Sequence, residues 1–167
     1  RVFTGNGSSP PASIPTGVVA TGYDSHIEIS WDLNAETTLN GYEIDRSLDG
    51  GNTFTTVKVT DKLTYMYIDW VRTLGDSVEV SYRVKALNEN NDQSEPSDTV
   101  TASIRVFNDE ELLDMVEHYT VRYFWEYAQS SSGMSRDRNY PVDMVTSGGS
   151  GFGVMARLFS RDCDRSG

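Results

Sequence analysis

Two hydrophobic periods divide this chain. Through residues 16–105 apolar and polar positions alternate, the period of a strand with one face buried. Residues 26–32 set Ile27, Ile29 and Trp31 against Glu28 and Ser30, and 41–47 set Tyr42, Ile44 and Arg46 against Glu43 and Asp45. The stretch 78–87 alternates Val78, Val80, Tyr82, Val84 and Ala86 without a fault. Shorter runs at 17–21, 54–59 and 99–105 complete the pattern. Strand 64–70 carries Tyr65, Tyr67 and Asp69 on one face and Met66, Ile68 and Trp70 on the other. Asp49-Gly50-Gly51-Asn52 is a turn whose glycines permit positive φ. Short strands separated by turn signals predict a mainly β architecture, a seven-stranded antiparallel sandwich of about 90 residues.

After Phe107 the period lengthens. Leu112, Met115, Val116, Tyr119, Tyr123 and Tyr127 recur at steps of three and four, and Leu113, Val116, Thr120, Phe124 and Ala128 form a row beside them. The spacing predicts a long α-helix over 109–129. Asn108 suits its N-cap, Glu111 stands where the reciprocal partner of a capping box belongs, and Asp109 to Glu111 place acid at the positive end of the helix dipole. Ser130 to Gly133 end the helix. So wide an apolar stripe needs a cover, and few residues follow to supply it. A polar loop at 130–142 leads to Gly148-Gly149-Ser150-Gly151-Phe152-Gly153 and the apolar Val154-Met155-Ala156, which predict the opening of a second helix. The chain therefore divides into a flexible Gly/Ser/Pro-rich lead-in at 1–15, the sandwich at 16–106 and a helical segment at 107–167.

Composition narrows the function more than it defines it. The 167 residues carry a net charge of −11, and no basic stripe exists to neutralise phosphates, so nucleic acid and anionic lipid are poor partners. The single cysteine, Cys163, excludes an internal disulfide framework, and nothing has metal-ligand spacing. No apolar run reaches the length of a membrane span. No signal peptide is present, and a chain that begins at Arg1 without Met reads as processed or cut. Asn6-Gly7-Ser8 has the form of an N-glycosylation sequon and no weight by itself.

Few residues stand out as candidates for chemistry. The glycine cluster 148–153 lacks both dinucleotide spacing and the Lys-Ser/Thr pair of a phosphate loop, and a tight turn against a neighbouring backbone accounts for it. The triplet Arg136-Asp137-Arg138 has two readings. Two guanidiniums beside a carboxylate suit sugar hydroxyls or an acidic partner, and a solvated loop with a local ion pair accounts for the same residues. His118 has Arg122 rather than a second ligand at i+4. Glu126, between Trp125 and Tyr127, is better explained as a helix-surface residue than as a buried acid. Trp31 and Trp70 fit aromatic packing on a sheet, and an exposed aromatic strip for stacking on sugar is the other reading.

Two resemblances follow from these residues. HIEISW at 26–31, GYEIDRSLDGGNTF at 41–54, YRVKALN at 82–88 and SEPSD at 94–98 together resemble a fibronectin type III domain. In it Trp31 would be the core tryptophan of the second strand and Tyr82 the tyrosine of the sixth. Such domains bind, space or brace. TVRYFWEYA at 120–128, SGMSRDR at 132–138 and VTSGGSGFGVMA at 145–156 resemble the opening of the bacterial glucoamylase-like glycoside hydrolases, a group that includes endo-β-1,2-glucanases.

The second resemblance implies that the helical segment is the truncated start of an (α/α)-toroid. It places loop 130–150 beside a sugar cleft, with Arg136, Asp137 and Arg138 as substrate-side residues. Glycoside hydrolysis needs two carboxyls at a set separation, and the resemblance puts that pair beyond residue 167. No catalytic residue, metal or cofactor is assigned. The polar tail 157–167 departs from the family, whose helix stays apolar there; an altered reading frame or a divergent gene fragment would explain it. The implied function is an accessory domain plus the leading part of an exported bacterial glycoside hydrolase, periplasmic or on the cell surface. It would meet a β-glucan-type polysaccharide or oligosaccharide only through its parent enzyme and be inactive alone. The competing reading is a stand-alone carbohydrate- or protein-binding or spacer module whose helix 109–129 docks on a covering partner.

Overall fold

The computed structural model of the chain describes residues 10–75, 77–126, 128, 132–136, 145–151 and 153. They fall in two units, Arg1–Phe107 and Asn108–Gly167.

The first unit is β. Strands form at Val19–Gly22 (β1), His26–Ser30 (β2), Leu39–Ser47 (β3), Thr55–Asp61 (β4), Met66–Trp70 (β5), Glu79–Asn88 (β6) and Val100–Ser103 (β7), with a short 3-10 turn at Arg72–Leu74. One sheet has the order β1-β2-β5, the other β4-β3-β6-β7, and the pairings are antiparallel. The alternation read from sequence sets the faces. Ile27 and Ile29 of β2, Tyr42 and Ile44 of β3, and Val80, Tyr82, Val84 and Ala86 of β6 are fully buried between the sheets, joined by Trp31 at 4% exposure. Among the described residues the chain is thus mainly β, with two antiparallel sheets where the alternation predicts strands.

A charged tie crosses this core. Asp69 of β5 faces inward at 5% exposure. Its carboxylate accepts the Tyr82 hydroxyl at 2.9 Å and the Arg46 guanidinium at 3.1 Å. A buried carboxylate without partners would cost several kcal/mol; here β3 and β6 of the opposite sheet supply them. Burial, and then the Asp69 charge, push the Tyr82 phenol well above its ordinary range. On the outer face of the larger sheet, Glu43 pairs Lys85 at 2.9 Å and Asp45 pairs Arg83 at 3.0 Å. Burial would raise the Asp45 carboxyl, but hydrogen bonds from Lys85, Thr56 and Arg83 outweigh it and leave the group below its ordinary value.

Residues 10–15, part of the lead-in by composition, are held to the sandwich. Ala12 is buried in the core cluster, Asn88 Nδ2 donates to the Pro10 carbonyl at 3.3 Å, and the Ser13 amide donates to Glu36 at 2.7 Å. Residues 1–9 lie outside the described set.

The second unit contains α1, Asp109–Glu126. Its start is the capping box read from sequence: the Glu111 amide donates to Asn108 Oδ1 at 3.0 Å and the Asn108 amide to Glu111 Oε2 at 3.0 Å. Two orphan donors are satisfied reciprocally. The apolar stripe is present and no residue of α1 is buried. Leu113 is 68% exposed, with Leu112, Val116 and Trp125 also open. Tyr127, and the tail from 154 onward, lie outside the described residues, as does most of the second helix expected from 151.

Candidate functional site

Two places merit consideration: the loop after α1, and one end of the smaller sheet. They belong to different units.

In the second unit, short bridges pair Ala128 with Ser135 and Arg136 with Val145, which brings the loop back on itself. The Tyr123 hydroxyl donates to the Arg136 carbonyl at 3.4 Å. Thr146 then caps a helical turn, its hydroxyl accepting the Gly149 amide at 3.1 Å and its carbonyl the Ser150 amide at 3.0 Å. Residues 147–151 and Gly153 are helical. A Cβ at Gly153 would collide with the buried Ser135 hydroxyl and stand 3.3 Å from Phe124. Close approach thus requires glycine at Gly153, where the neighbours are side chains, and crowds Gly149, whereas Gly148 and Gly151 have nothing within 4 Å of an added Cβ.

Of the three candidate substrate-side residues, Arg136 is half-buried at the base of this turn, and Asp137 and Arg138 lie outside the described residues. Glu126 is on the helix surface, paired with Arg122 at 2.9 Å across one turn. His118 is exposed, its ring meeting Tyr119 edge-on at 5.6 Å. Among the described residues no cluster of three or more His, Cys, Asp or Glu is arranged to hold a metal ion. No described helix is long and apolar enough to cross a membrane.

In the first unit, the antiparallel register puts His26 opposite Trp70 and Glu28 opposite Ile68 on the outer face of the smaller sheet. Tyr23 stacks on His26 at 4.9 Å with 13° between planes, and His26 meets Trp70 at 4.9 Å. Tyr23 also meets Phe107, tilted at 6.2 Å, and the Arg105 guanidinium lies 4.8 Å over the Phe107 ring. His26 is buried while Trp70 is 69% exposed. Burial lowers the imidazole pKa, against the opposing pull of Glu28 and Asp24. Asp24 accepts the Phe107 amide at 3.3 Å and pairs Arg72 at 3.7 Å. Sequence alone leaves Trp70 with two readings; the two-faced apolar pattern of 64–70 is the signal that this strand's outer face differs from its neighbours'.

No protein-family model matches the sequence. Over 156 residues the chain is 36% identical to the exo beta-1,2-glucooligosaccharide sophorohydrolase (non-reducing end) of Parabacteroides distasonis, a match covering 87% of this chain and 21% of that protein. The crystal structure of a beta-1,2-glucanase from the same organism superposes with a TM-score of 0.70 at 35% identity, over 90% of this chain and 22% of the other. An Fn3-like protein from Clostridium thermocellum gives a TM-score of 0.46 at 20% identity, over 59% of this chain and 99% of that one. The chain is homologous to part of a β-1,2-glucan hydrolase and spans about a fifth of that relative's length, 21%.

Proposed function

We propose that this chain is the accessory β-sandwich and leading helical segment of a longer glycoside hydrolase acting on β-1,2-linked glucan. In this reading residues 16–106 are a fibronectin type III-like domain, and 107–167 open a glucoamylase-like helical domain. The chain by itself does not hydrolyse glucan, because glycosidases need a pair of carboxyls at a fixed separation and that pair belongs to the remainder of the parent. The parent is exported, to the periplasm or the cell surface.

One observation carries the proposal. The match to the glucan hydrolase covers 87% of the chain, more than the 107 residues of the first unit can supply, so the likeness runs into the helical segment. A sandwich shared among unrelated proteins would match in the first unit alone. The open stripe of α1 points the same way: Leu112, Leu113 and Val116, at 43%, 68% and 53% exposure, forgo about half of the roughly 1.5–3 kcal/mol that full burial of each large side chain would yield. A helical body would recover that energy. The competing reading, a stand-alone binding or spacer module, needs a separate protein to cover α1.

The test is the genomic sequence downstream in all frames, followed by expression of whatever it encodes. Several hundred residues of paired amphipathic helices carrying two acids, and release of gluco-oligosaccharides from β-1,2-glucan by the extended protein but not by residues 1–167, would support the proposal. An intact, expressed gene that stops naturally after Gly167 would overturn it.

A further inference from the structure

From the geometry at one end of the smaller sheet we infer that Trp70 is the stacking platform of a sugar-binding site for a neutral β-linked gluco-oligosaccharide. The indole stands on the outer face of β5, 69% exposed. It is backed by the buried His26 ring at 4.9 Å, which Tyr23 backs in turn. That support fixes the orientation of the indole without covering it, so little side-chain entropy remains to be lost when a ligand lies on it.

The surroundings select the ligand. Glu28 and Thr21 lie across from each other on the same outer face, one strand and two strands away from Ile68 of β5. Arg72 stands two residues past Trp70, its side chain 75% exposed and 3.7 Å from Asp24. An exposed aromatic face with a carboxylate, Glu28, on the adjacent strand and a guanidinium, Arg72, two residues on in the chain suits a pyranose. The ring's C–H face meets the negative face of the indole, and its equatorial hydroxyls find donors and acceptors at the border. Anionic ligands are disfavoured by Glu28 on the adjacent strand and by the net charge of −11. A protein partner would need about 800 Å² from this side, whereas a tryptophan supplies about 150–250 Å² and the side chains beyond it, Ile68 and Met66, are already half-buried. The choice of glucose as the sugar rests on the proposed function; the platform rests on the geometry.

The full 167-residue chain is titrated with sophorose, with longer β-1,2-gluco-oligosaccharides and with cello-oligosaccharides, following the tryptophan indole signals by NMR. Saturable weak binding that perturbs the Trp70 indole is expected. W70A should weaken it by about tenfold or more, the scale of one lost stacking contact, W70F should retain part of it, and W125A on α1 should leave it unchanged. Urea midpoints of W70A and the parent should agree, since the ring is exposed. Binding of cello- but not β-1,2-oligosaccharides through Trp70 would uphold the platform while counting against the β-1,2-glucan reading. Absence of saturable binding to any of these sugars, or equal affinity in W70A, would overturn the inference. So would concentration-dependent self-association in sedimentation that W70A abolishes, which would make the face a contact between copies.

Discussion

Replacing Asp69 by alanine is the sharpest test of how the sandwich is held together. The carboxylate is 5% exposed and links both sheets through Tyr82 and Arg46. Its removal strands the fully buried Tyr82 hydroxyl, a loss of about 1–3 kcal/mol for a buried donor left without a partner. Arg46 loses its partner as well, but its side chain is 28% exposed and can turn to water, so that part is held to about 1 kcal/mol or less. The expected sum is about 1–4 kcal/mol, a fall in melting temperature on the order of 5–30 °C for a domain near this size. Urea unfolding followed by the fluorescence of the buried Trp31 would measure it. In a double-mutant cycle with Tyr82→Phe, the pair should be less destabilised than the sum of the singles by about 1 kcal/mol, since without the hydroxyl there is nothing to strand. A loss below about 1 kcal/mol for Asp69→Ala, or an additive cycle, would refute the reasoning.

Further expectations follow from the other contacts. The Glu36 carboxyl is held at about 2, below the ordinary glutamate value of 4.5, chiefly by hydrogen bonding to Ser13. A depressed acid contributes above its unfolded pKa and loses that contribution as pH falls through the folded one. Protection of the Ser13 amide from hydrogen exchange should therefore decline between about pH 4.5 and 2, and Glu36→Gln should remove that pH dependence. Tyr82 shows the opposite sign: a phenol raised above 10.0 favours the fold at lower pH, so stability should fall as pH rises past 10, and Tyr82→Phe should flatten the decline. Asn108→Ala should cost α1 about 0.5–2 kcal/mol, read as lost helicity by circular dichroism. Gly153→Ala should shift the Phe124 and Ser135 resonances, and Ser135→Gly should partly relieve it, because the added methyl meets the serine hydroxyl first.

Legibility in the sequence followed the range of the forces involved. The β6 alternation and the Asn108–Glu111 capping box are local, and both are present as the sequence implies. Residues 10–15 escaped because composition reports turn preference, while their attachment depends on Asn88 and Glu36, far off in the chain. The strand spacing places Asp69 on the same face as Tyr65 and Tyr67 but offers no means of pairing it with Arg46 and Tyr82 across the core. At the candidate loop, Arg136 is found at the base of a tight turn; Asp137 and Arg138, whose role comes from resemblance, lie outside the described residues. Trp70 was ambiguous for a different reason. Alternation fixes which face a side chain takes and is silent about whether that face is covered.

The anchor points of the sandwich carry a mechanical consequence. The incoming chain is fastened beside Asn88 and Glu36, near the Trp31 end of β2, and the outgoing chain is fastened at Asp24, near the His26 end. Entry and exit thus sit at opposite poles, separated by roughly the length of a strand, on the order of 15–30 Å for five to ten residues. Tension applied through the two attachments would run along the strands and load the ladders in shear, so many hydrogen bonds must fail together. A hairpin pulled from one pole opens them singly. Single-molecule pulling through the natural attachments should accordingly meet a higher rupture force than pulling through two positions at the Trp70 pole.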